Sequence, residues 1–146
     1  MYSDTVTLFN RRRGKDEDVW YPTVLEGVDL NADQTAIAGK YGGRRGGRAL
    51  LHIHYGGGKR PVVGGKPYLT PLAWQGAEHP EDAVTFTAGE FFDFFIEGTW
   101  PDTGPIRDDA YAGGFYNCLN RTRDGVYAVN SVARYSMIPH FEVVGK

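Results

Sequence analysis

The sequence predicts a mainly β protein, a single antiparallel β-barrel or sandwich domain carrying one short α-helix, and three observations predict it. Runs in which apolar and polar residues alternate, such as Thr5-Val6-Thr7-Leu8, outnumber runs with helical spacing. Clusters of Gly, Pro, Asn and Asp interrupt those runs at short intervals, as turns between strands do. A chain of 146 residues suits one domain and buries roughly 70% of its unfolded surface in one core, so residues 1–146 are read as one barrel.

The first strand is expected at Thr5 to Phe9, followed by a charged loop from Arg11 to Asp18 and a longer strand from Val19 to Val28. Pro22 lacks an N–H and makes that second strand an edge, or breaks it. Further strands are expected at Gln34 to Ala38, Arg48 to Tyr55, Tyr68 to Trp74, Ala83 to Thr87, Phe91 to Ile96, Val126 to Tyr135 and His140 to Val144. Between Pro105 and Arg121 the pattern changes: Tyr111, Phe115 and Leu119 recur four apart, as one helical face requires. Gly113 and Gly114 cost that helix about 1 kcal/mol each relative to Ala, which keeps it short.

Composition removes several function classes. The net charge of −2 provides no global attraction for nucleic acid or an anionic membrane, so any basic patch acts locally. A single cysteine, Cys118, forms neither an intrachain disulfide nor a cysteine-rich zinc site. The polar start and the lack of ~20 consecutive apolar residues predict a soluble protein made in a cytoplasm, with no membrane partner.

Two stretches invite a chemical reading. In GGRRGGRALLHIHYGGGKRP, from Gly42 to Pro61, the Gly58-Lys59 pair has Ile53 and Arg60 where a phosphate-binding loop needs Gly and Ser or Thr. His52 and His54 are two apart, which on a strand puts both imidazoles on one face, as a metal pair needs. The His-x-His core resembles that of cupins, but Gly58, Lys59 and Arg60 stand where cupins place a carboxylate, and no metal or other cofactor is expected. A metal-dependent enzyme would need His79 or His140 as a third ligand. Glycines give the flanking loops reach, and Arg44, Arg45, Arg48, Lys59 and Arg60 give them anionic partners, either neighbouring subunits or DNA.

The second stretch, TFTAGEFFDFFIEGTWP, is read as a hairpin turning at Ala88-Gly89-Glu90. Its second strand is too apolar to leave either face in water, so its own core covers one side and a helix or second subunit the other. Glu90, Phe91, Phe92, Phe94 and Phe95 are thus candidate interface residues, and Glu90, Asp93 and Glu97 are placed at the turn and rim rather than in catalysis. No G-x-S-x-G elbow is present, and no catalytic residue is assigned.

The ordered pattern of Gly89-Glu90, the run Phe91 to Glu97 with Gly98, VYAVNSVARYS from Val126 and HFEVVGK from His140 resembles the minor capsid and head-tail connector proteins of long-tailed bacteriophages. YSDTVTLFNRR from Tyr2 and WYPTVLEGVDL from Trp20 are similar to the first strands of that group, whereas residues 42–75 have no counterpart in it. The resemblance implies a structural virion protein of the neck, a stopper or head-completion protein. Such a protein is made in the host cytoplasm, forms a homo-oligomeric ring beneath the portal or an adaptor, offers a face to tail proteins and touches packaged DNA in passing. In that setting an incompletely closed barrel would have its free edges covered by neighbouring copies. A stand-alone carbohydrate- or RNA-binding module is the alternative, drawing on the 14% aromatic content.

Overall fold

The structure, a computed structural model, describes residues 2–32, 49–56 and 60–146. The expected strand at Gln34 to Ala38 lies outside them. Nine strands are described: β1 (Asp4–Arg12), β2 (Val19–Asn31), β3 (Ala49–His54), β4 (Val62–Val63), β5 (Lys66–Pro67), β6 (Phe94–Glu97), β7 (Ile106–Arg107), β8 (Val126–Tyr135) and β9 (His140–Gly145). Two short helices, α1 (Pro71–Gln75) and α2 (Phe115–Thr122), accompany them, one more than the sequence pattern indicates.

Six antiparallel strands follow one another in the order β1-β6-β8-β9-β3-β2, and β2 returns to pair with β1 from Asp4 opposite Val28 to Arg12 opposite Val19. This pairing closes the barrel. The expectation of an open seam for neighbouring copies to cover is therefore corrected, because closure supplies those ladder hydrogen bonds within the chain. β2 runs unbroken through Pro22, where it is paired on one side only: β7 reaches Val19 and Trp20, and β3 begins at Asp29. A missing N–H is tolerated at such a place.

Strict alternation sends successive side chains to opposite faces and builds two apolar clusters. Val6, Leu8, Leu25, Leu51, Ile53, Phe95, Tyr127, Phe141 and Val143 fill the barrel, joined by Val84 and Phe86 from the connection before β6. Gly145 points inward, and a Cβ there would lie 2.7 Å from Cβ of Tyr127 and 2.9 Å from the Phe95 ring. On the outside, Phe9, Trp20, Phe94, Ile96 and Val126 are covered by Phe115 and Leu119 of α2. Phe94 and Phe95 thus belong to different clusters, both with no exposed surface. A helix covers the outer face of β6, as one of the two expected covers.

α2 starts later than the spacing of Tyr111, Phe115 and Leu119 suggests. Gly113 (φ 79°) and Gly114 (φ 95°) stand just before it in conformations a helix does not contain. Tyr111 stays outside the helix and packs its ring 4.8 Å from that of Phe115. Asp108 fixes the junction: one of its oxygens accepts both the Phe115 N–H (2.9 Å) and the Trp20 indole N–H (2.8 Å).

The connection from β5 to β6 departs most from expectation. Tyr68 to Trp74 is not a strand, because Pro71, whose fixed φ suits a first helical turn, starts α1 there. Trp74 is buried, and its indole N–H reaches the carbonyls of Pro80 (3.1 Å) and Ala83 (3.2 Å). Ala83 to Thr87 forms no ladder beyond one bridge, Tyr68 with Val84, and the hairpin expected around Ala88-Gly89-Glu90 is absent. Its place is taken by a turn whose only strand, β6, pairs with β1 and β8.

Candidate interaction surfaces

Asp93 organises the turn before β6. Its side chain is almost wholly buried and collects three donors: the Arg11 N–H on one oxygen (2.8 Å), and the Thr87 N–H (2.8 Å) and Asn10 amide (2.9 Å) on the other. The Asn10 amide also reaches the Thr85 carbonyl at 2.7 Å. Burial pushes the Asp93 carboxyl up to about 7, against these donors, which favour its charged form. Assignment of Asp93 to a turn rim is corrected here, while Glu90 and Glu97 are indeed exposed. Beside the turn, the Arg11 guanidinium lies 4.4 Å over Trp20 and 4.8 Å over Phe92 and 3.8 Å from an Asp18 oxygen. Desolvation lowers its pKa, opposed by Asp18, Asp108 and Asp93.

The outer face of β3 and β9 carries a different set of polar groups. His52 and His54 alternate with buried Leu51 and Ile53, so both imidazoles leave the barrel on one side. Register places Glu142 opposite His52, and His140 opposite His54. Glu142 lies between two imidazoles, 3.6 Å from His52 Nε2 and 3.1 Å from His140 Nε2, and Asp29 stands 3.7 Å from His52 Nδ1. His140 Nδ1 is 2.7 Å from the Ile138 carbonyl, and that contact, followed by Glu142, raises the His140 pKa. Among the described residues no group of three or more His, Cys, Asp or Glu side chains is arranged to hold a metal ion, and His79 sits apart with Glu81.

This polar face ends at the β8–β9 hairpin tip. Met137 is 97% exposed, Ile138 68% and Tyr135 46%, while the Tyr135 ring stacks on His140 at 4.7 Å. The tip is fastened from below, since the Tyr55 N–H donates to the Pro139 carbonyl (3.3 Å) and the Tyr55 hydroxyl to the Tyr135 carbonyl (2.9 Å). Near the far end of β1, a groove of about 160 Å³ lies between α1 and the 87–91 turn, and its lining includes Arg13, Leu72, Ala88, Glu90 and Phe91. Gln75 ties α1 to the end of β1, accepting from the Arg13 N–H (3.1 Å) and donating to the Arg11 carbonyl (2.7 Å).

Of the basic residues singled out from the sequence, Arg44, Arg45, Arg48 and Lys59 lie outside the described residues, and Arg60 is exposed. Of the aromatic set, Phe94 and Phe95 are core side chains, which removes them from any surface the folded chain presents. Phe92 is partly covered by the Tyr116 ring at 4.8 Å. Phe91 and Glu90 remain at the surface, together in the groove. Sequence reasoning missed the hairpin tip and its fastening by His140. The available signal was Met137-Ile138-Pro139, an apolar triplet at a turn between two strands.

The family described as a family of unknown function (DUF6751) matches residues 1–146, and the chain belongs to it. No curated protein and no solved structure matches the chain.

Proposed function

We propose that this member of a family of unknown function is a non-enzymatic structural component of a bacteriophage neck: a head-tail connector or stopper that assembles as a ring between portal and tail and helps retain packaged DNA. The observation that carries this reading is the exposure of Tyr135, Met137 and Ile138 at a hairpin tip fastened to a closed barrel by Tyr55. An apolar patch held in one conformation suits docking on another protein. The strand pattern resembling connector proteins points the same way. Among the described residues, Asp93, whose carboxyl burial pushes up to about 7, is held by three backbone and side-chain donors inside the fold and offers no open position to a substrate.

With the barrel closed, contacts between copies fall on side chains at loops and hairpin tips rather than on strand edges. Arg44, Arg45 and Arg48 are assigned to neighbouring subunits or to passing DNA, through the bidentate capacity of guanidinium for anions. The test is made in the particle. Mass spectrometry of purified virions should find the chain in several copies in the neck. Loss of the gene should give heads that leak DNA or fail to join tails. Virions that lack the protein, with normal assembly after its deletion, overturn the reading.

A further inference from the structure

We propose that the β8–β9 hairpin tip of one copy docks in the groove between α1 and the 87–91 turn of a second copy, so that the chain associates head to tail. This rests on the reading of the protein as an assembly component and names the contact by which it assembles.

Exposed apolar surface is concentrated at these two places. Seven large hydrophobic side chains are exposed among the described residues: Tyr135, Met137 and Ile138 form the tip, Leu72 and Phe91 line the groove, and Tyr2 and Val62 complete the set. Tyr2 also belongs to the tip end, with its ring 4.1 Å from that of His54. The knob is preorganised by Tyr55 and His140, so docking freezes little new motion. The groove, about 160 Å³, is large enough to admit an apolar side chain from the tip.

Knob and groove cannot meet within one molecule. Tyr2 stands at the tip end of β1 and Arg13 at the groove end, and the extended chain between them spans about 35 Å at roughly 3.3 Å per residue. Copies set end to end repeat this heterologous contact from copy to copy, whereas an antiparallel pair making the contact twice would stop at a dimer and give no ladder. Both ends carry both signs: Arg13 and Glu90 line the groove, and Arg134 and Glu26 stand toward the tip end, so the two surfaces can pair opposite charges crosswise.

The test uses the full chain with Cys118→Ser, to which either Leu72→Cys or Ile138→Cys is added; both added sites are exposed, and an unchanged circular-dichroism melt verifies folding. The two variants are mixed and treated with a bifunctional maleimide. The expected product is a covalent dimer joining position 72 of one copy to position 138 of the other, and the double-cysteine variant gives a ladder at multiples of 16.2 kDa. Products joining only 138 to 138 or only 72 to 72, or no product from folded protein, overturn the proposal. Presence of the protein in virion necks without 72–138 links would sink this contact and leave the neck reading standing. Links formed by a protein that virions lack would do the reverse.

Discussion

Two side chains at opposite ends of the barrel perform the same local act with opposite results. Asp93 gathers the Arg11 and Thr87 N–H groups and the Asn10 amide, and its carboxylate is itself buried beneath the turn it holds. His140 gathers the Ile138 carbonyl and Glu142, and the tip it organises stands out in water with Met137 and Ile138 uncovered. The first arrangement spends its hydrogen bonds on the interior. The second spends them on holding an apolar surface open, which contributes little to folding and is consistent with use by a partner.

The contrast is broken most severely at Asp93. Replacing it with Ala strands three donors in a buried site, each costing about 1–3 kcal/mol, so Asp93→Ala should lose at least about 3 kcal/mol in urea unfolding. A loss below 1 kcal/mol would show that the turn is held by other contacts. Asp93→Asn sharpens the point through pH. Because burial raises the folded carboxyl to about 7 from 3.8, its contribution is fully present below pH 4 and is lost as pH rises through about 7. Wild-type stability should therefore fall from about pH 4 to about pH 7, and the Asn variant, though weaker at pH 5, should lack that component of the slope. Identical slopes would place the pH dependence elsewhere.

At the exposed end the expected pattern reverses. Met137→Ser with Ile138→Ser should change stability by less than about 0.5 kcal/mol, as surface substitutions do, yet weaken self-association at least tenfold. Arg44, Arg45 and Arg48 changed together to Ala should likewise leave the melt unaltered and reduce assembly. The smallest effect belongs to His140→Gln, which removes the charged form while retaining one hydrogen-bonding group. The raised His140 pKa means its contribution is present below about pH 6.5 and fades as pH climbs past the folded value, with Glu142, His52, His54 and Asp29 as its titratable surroundings. NMR titration of the imidazole should give a midpoint above the ordinary histidine value, and one below it would show that the Ile138 and Glu142 contacts do not form in solution.

The legible part of this molecule was the part built from alternation. Thr5 to Phe9, Val19 to Val28, Arg48 to Tyr55, Val126 to Tyr135 and His140 to Val144 each mark a barrel strand, and the two-residue spacing of His52 and His54 correctly puts both on one face. Alternation reports which way a side chain points but not what lies opposite it. The approach of His140 and Glu142 to that face depends on the β3–β9 register, set by contacts about ninety residues apart in the chain. The region from Tyr68 to Thr87 misled because its apolar and β-branched residues pack without a ladder: Pro71 starts a helix, Trp74 anchors it, and Val84 and Phe86 fill the barrel from an irregular segment. Asp93 was hidden for a related reason. A carboxylate in an aromatic run reads as a surface residue until the donors of Asn10, Arg11 and Thr87 are brought around it.

Sedimentation equilibrium of the full chain over a wide range of protein concentration tests most directly the claim that the barrel presents its tip in order to assemble. The account predicts a mass that climbs with concentration through multiples of 16.2 kDa in the wild type and stays at one multiple in a folded Ile138→Asp variant. A wild-type mass fixed at 16.2 kDa at every concentration, or an Ile138→Asp variant that associates as the wild type does, would contradict it.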